Sequence, residues 1–129
     1  MRAIGWFNIQ IIPHKDQRYN SAGDFWIDED NALQIRISNL GDVRMNMLVL
    51  IHELVEVVLT ENAGIPEPDI MAFDIGFEAT RSLGNLDEPG DDVRAPYSKQ
   101  HGIATGIERI VAAVLGVNWK EYEAACNAL

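Results

Sequence analysis

Residues 48–59 read Leu-Val-Leu-Ile-His-Glu-Leu-Val-Glu-Val-Val-Leu. A helix that is apolar nearly all the way round has to be buried, so the rest of the chain must cover it. Yet this segment carries one imidazole and two carboxylates. At helical spacing His52 and Glu56 lie one turn apart on a single face, with Glu53 beside His52. Burying ionisable groups without partners is costly. These three must therefore share protons, accept hydrogen bonds, line a wet cleft or bind a metal.

The elements that cover this helix are legible on either side of it. Residues 3–12 are rich in aromatic and β-branched types, with Phe7, Ile9 and Ile11 alternating against Asn8 and Gln10. After a polar loop over 13–23, residues 25–27 and 33–37 flank a turn at Asp28-Glu29-Asp30-Asn31 and predict a hairpin. Leu33, Ile35 and Ile37 are expected to face inward, and Gln34 and Arg36 to face water. Helix one is expected from about 42 to 62, stopped by Gly64 and Pro66. Helix two starts near Pro68 and Asp69, with Ile70, Phe73 and Phe77 on its apolar face. Residues 84–95 form a polar loop, and helix three spans about 96–115, closed by Gly116. A short last helix opens at Asn118, with Glu121 three residues on as in a capping box. The reading is one domain over 1–129, of α+β class: a small antiparallel sheet followed by about four helices.

Twenty acidic residues against ten basic ones give a formal charge of −10. That balance disfavours direct binding to nucleic-acid backbones or anionic membranes. Solubility explains it first; an acidic decoy or inhibitor is the sharper reading, but the acids are scattered. Cys126 is the only cysteine, so neither an internal disulfide nor a cysteine-based zinc site can form. With no apolar run of membrane-spanning length, the expectation is a cytoplasmic protein.

His52-Glu53-x-x-Glu56 resembles the His-Glu-x-x-His signature of zincin metallopeptidases, with glutamate in place of the second histidine. The resemblance covers about residues 24–62, and zincins also place a small sheet before the active-site helix. It implies that His52 and Glu56 bind zinc or another divalent metal and that Glu53 is the catalytic base acting on metal-bound water. Residues one turn apart can converge on one ion, which is why the chemistry needs this spacing. The overall look of the chain is also similar to small uncharacterised phage and prophage products, which brings no substrate with it.

The third ligand is open between two candidates. His101 lies at the start of helix three, followed by Gly102 and Gly106 one turn apart. Such a pair predicts close approach of another helix, with helix one the obvious neighbour. Glu78 is the rival, because some zincins take a downstream glutamate. It sits four residues after Asp74, with Arg81 within reach, and either carboxylate could instead orient a ligand histidine. The loop Asp87-Glu88-Pro89-Gly90-Asp91-Asp92 does not match a known calcium loop. It is expected to be solvated and to wall a cleft beside His101, where Tyr97 could point its hydroxyl at a substrate. His14 is expected to be exposed, and Trp6, Trp26 and Trp119 to be core or edge residues.

The sequence therefore points to a metal-dependent hydrolase of peptide or amide bonds, with His52, Glu56 and His101 as ligands. The alternative is a non-catalytic binding protein with a degenerate or metal-free site. Substrate, protein partners and oligomeric state are not encoded in any motif.

Overall fold

The turn after the second strand sets the sheet. Asp28 Oδ1 accepts hydrogen bonds from the backbone N–H groups of Asp30 (2.9 Å) and Ala32 (3.0 Å), while Asn31 takes a left-handed conformation at φ 60°. This closes a hairpin between β2 (Gly23–Ile27) and β3 (Ala32–Ser38). The computed structural model describes residues 1–129. β1 (Trp6–Ile12) lies on the other side of β3 and runs parallel to it, in register from Trp6↔Ala32 to Ile12↔Ser38. The class is α+β as expected, but the sheet is mixed, in the order β1-β3-β2, rather than wholly antiparallel. The reason is geometric: the chain reverses through the loop after β1 to enter β2, and the hairpin restores the original direction in β3.

Four helices follow: α1 (Val43–Ala63), α2 (Glu67–Ala79), α3 (Ser98–Leu115) and α4 (Trp119–Asn127). Asp42 caps α1 by accepting from the N–H groups of Arg44 and Met45, and Gly64, at φ 71°, ends it in the left-handed conformation that favours glycine. Asn118 caps α4 by accepting from the Glu121 N–H. Each of these was expected from residue type alone. α1 packs over β2 and β3, where Leu33, Ile35 and Ile37 join Leu48, Val49 and Val57 in the core. Phe7, Ile9 and Ile11 lie on the same sheet face but remain exposed on β1.

Two expectations change. Gln34 is buried on the opposite face of the sheet, not solvated; its amide accepts from Asn8 and Arg36 and donates to Asp28. That network gives both the carbonyl oxygen and the amide nitrogen of the buried side chain a partner. Trp26 sits beside Gln34 in the sheet, an edge residue with the Arg18 guanidinium 4.0 Å from its ring centroid.

The second change concerns α3. It runs antiparallel to α1, and its buried face is His101, Ala104, Glu108 and Ala112. Gly102 and Gly106 fall outside that stripe and point outward, where a Cβ would meet no atom within 4 Å. They do not mediate helix packing. Gly106→Ala should accordingly raise stability by about 0.5–1 kcal/mol through helix propensity alone. A urea titration checks this, and a lower midpoint would restore a packing role to the glycine.

Candidate metal centre

α1 turns its polar residues inward. His52, Glu53, Glu56 and Thr60 are all buried, whereas Met47 and Val58 on the opposite side are exposed. Antiparallel packing brings His101, from the first turns of α3, against this face; the two imidazole centroids are 4.7 Å apart. Glu56 Oε2 lies 3.0 Å from His52 Nε2 and 3.0 Å from His101 Nδ1. One carboxylate oxygen thus sits between two ring nitrogens contributed by different helices.

The outer edge of each ring also meets carboxylate. Glu108, two turns after His101 on α3, places Oε1 2.8 Å from His52 Nδ1, and Tyr122 of α4 donates its hydroxyl to the other oxygen of Glu108. His101 Nε2 lies 2.8 Å from Glu88 Oε2 and 3.3 Å from Asp91 Oδ1. The loop of residues 88–91 can come this close because Gly90 lies directly on the ring. A Cβ there would stand 2.3 Å from His101 Cγ. Gly90→Ala should therefore displace either the loop or the imidazole, costing about 1–3 kcal/mol as overpacking. Thermal unfolding of the variant checks it, and an unchanged midpoint would show that the loop yields freely.

Burial by itself would pull the pKa of both histidines down. For His52 the contacts with Glu108 and Glu56 outweigh burial and hold it well above its ordinary value. For His101 the contacts with Asp91, Glu56 and Glu88 push it up to about 12. Glu56 moves the other way: burial opposes its ionisation, but the two imidazoles hold its carboxyl below the usual range. Without a metal these contacts favour protonated rings set against ionised Glu56.

Glu53 is different. Its carboxylate takes part in no hydrogen bond or ion pair, and it is pressed against β2, where a Cβ on Gly23 would stand 2.4 Å from its Oε1. Burial, then the negative charge of Glu56, raises its pKa well above the ordinary glutamate value. It lines the same cavity as His52, Glu56 and His101, of about 320 Å³.

Asp74 and Tyr97 line that cavity too, but they are engaged with each other. Tyr97 donates its hydroxyl to Asp74 at 2.5 Å and Tyr19 donates to the second oxygen at 2.9 Å. The Tyr97 hydroxyl is thus directed at Asp74 rather than left free for a substrate. Burial raises the Asp74 carboxyl to about 6 against those hydrogen bonds. Glu78 pairs with Arg81 at 2.7 Å, as its spacing suggested. His14 is half-buried and bonded to Ser38 and Asn20, both at 2.8 Å. Cys126 has its thiol pushed up to about 12 by burial, so it is a poor nucleophile.

The donor set fits a divalent metal. His52, Glu56 and His101 offer ligand atoms all within 4.8 Å of one another and could hold an ion. Two ligands on one tetrahedral zinc stand about 3.3 Å apart, close to the separations Glu56 already makes with the two rings. Carboxylate behind a ligand histidine is the usual means of fixing its tautomer, and Glu108 stands in that position for His52. Sequence reading missed Glu108 and Tyr122. The only signal was that Glu108 lies seven residues after His101 and so shares its face.

No known family model, curated protein or solved structure matches this chain.

Proposed function

We propose that His52, Glu56 and His101 bind one divalent metal, zinc in the first instance, in a hydrolase of peptide or amide bonds. The observation that carries the reading is the two-sided setting of His52. Its Nδ1 faces Glu108, which leaves Nε2, beside Glu56 and His101, as the lone-pair donor. A bound divalent ion supplies Lewis acidity, polarising a carbonyl and easing deprotonation of water. The chain's own part is to hold that ion and to receive a proton. Glu53 is the candidate base, because its carboxyl lines the same cavity and is engaged by no other side chain. Burial and Glu56 raise its pKa in the metal-free protein, and the positive charge of a bound ion would favour the ionised form that a base needs. Asp74, fixed by two tyrosines, is a further carboxyl group on the cavity wall and is assigned no step.

We further propose a cytoplasmic location, because the lone Cys126 suits a reducing compartment; no helix is long and apolar enough to cross a membrane. A second reading is favoured by the pairing of both rings with Glu56, each at 3.0 Å. Glu56 joins the two rings without an ion, as in a non-catalytic binding protein whose cluster only holds α1 to α3.

Metal analysis of protein purified without a histidine tag separates the two. The hydrolase reading expects about one equivalent of metal per chain, removable by chelator, with cleavage of a fluorogenic peptide library lost on removal and restored by zinc. Metal-free protein that takes up no zinc would leave the second reading in place.

A further inference from the structure

His52 meets one carboxylate at its outer nitrogen, whereas His101 meets two, and the second needs a reason. Glu88 Oε2 and Asp91 Oδ1 both face His101 Nε2. Neither is aligned with the ring N–H, and Nε2 remains a buried nitrogen without a hydrogen-bond partner. His101 itself is 5% exposed, while the two acids reach solvent. Asp91 is held in place by accepting the Glu88 N–H at 3.0 Å through its other oxygen, Oδ2. Gly90 completes the arrangement by letting the loop close on the ring.

We propose that Glu88, Asp91 and Nε2 of His101 form an outer divalent-cation site, open to solvent, through which the inner site is loaded. Two carboxylate oxygens and one imidazole nitrogen lie within ligand-sharing distance there. Two oxygen donors and one nitrogen are a donor set that zinc and manganese accept. The loading role, though not the outer site itself, rests on the inner-site reading.

The two sites share a single ring, which couples them. A neutral imidazole has one lone pair. An ion on Nε2 leaves the proton on Nδ1, where it is donated to Glu56. An ion on the inner side takes the Nδ1 lone pair and returns the proton to Nε2, facing Glu88 and Asp91. The two positions therefore compete for His101, and transfer inward needs a change of tautomer: the Nδ1 proton passes to Glu56, and Nε2, once the outer ion leaves it, takes a proton from water or the outer carboxylates. The outer acids concentrate the cation at the mouth of the buried cluster.

Zinc alone is the probe, added to tag-free, metal-stripped protein, with calorimetry for affinity and stopped-flow chelator competition for rate. The pair Glu88→Gln and Asp91→Asn should slow zinc uptake at least fivefold. His52→Gln should weaken binding tenfold or more yet leave one ion bound, and adding the outer pair to it should abolish that residual binding. Circular dichroism establishes that each variant is folded; if His52→Gln is not, Glu56→Gln takes its place. Should the inner site hold no ion, His52→Gln would leave binding unchanged while the outer pair removed it, so the outer site would stand without its loading role. The outer site is overturned if the pair alters neither uptake rate nor residual binding. It is equally overturned if His52→Gln removes all zinc.

Discussion

Glu56→Ala is expected to destabilise the fold by about 3–5 kcal/mol, the cost of removing one partner from a buried ionic cluster. Glu56 is 5% exposed and stands 3.0 Å from a nitrogen of each histidine. Without it, two imidazoliums whose centroids are 4.7 Å apart face one another with no charge between them. Denaturant unfolding in the presence of chelator isolates this effect from metal binding. The loss should be largest at mildly acidic pH. Both histidines have raised folded pKa values, so the stability they contribute is fully present below the unfolded value of about 6.5 and fades as pH rises through the folded ones. A loss under 1 kcal/mol would show that water, not Glu56, solvates the rings.

The second large effect is on turnover. Glu53→Gln should lower any hydrolytic rate by about 10²–10⁴-fold, the usual contribution of a positioned general base, while leaving zinc affinity within a few-fold of the parent. Gln keeps the shape that fits against Gly23 but cannot accept a proton. The stability change has the opposite sign from that at Glu56. Because burial and Glu56 raise the Glu53 pKa, the folded protein holds this proton in a pH range where the unfolded chain has released it. The parent therefore loses stability as pH rises above about 4.5, and the Gln variant should lack that slope. Equal turnover by variant and parent would remove Glu53 from the reaction.

What the sequence made legible was local. Asp42 and Gly64 marked both ends of α1 through capping chemistry that needs only neighbouring residues. Helical period placed His52 and Glu56 on one face, and His101 was singled out as a histidine near a helix start. Partners brought by tertiary packing were not legible. Glu108 is 56 residues from His52 and becomes its partner only because α1 and α3 run antiparallel. β1 was recognisable as a strand, but its parallel pairing depends on which edge of the hairpin it joins. Gly102 and Gly106 misled for a related reason. Two glycines one turn apart fit a close helix contact equally as well as an exposed face, and the stripe through His101, Ala104, Glu108 and Ala112 decided it. The acids of the loop over 88–91 gave a wall for the site, while their aim at His101 depended on the buried Gly90.

Zinc-dependent thermal unfolding at two pH values tests most directly whether the buried triad is a metal site rather than an ion-pair lock. Zinc must displace the protons that the rings hold in the metal-free state. The shift in melting temperature on adding zinc to tag-free protein should therefore be larger at about pH 8 than at about pH 6. It should disappear in His52→Ala. An unchanged melting temperature at both pH values, with the stabilisation due to His52 undiminished by chelator, would contradict the account and leave the cluster a structural clamp between α1 and α3.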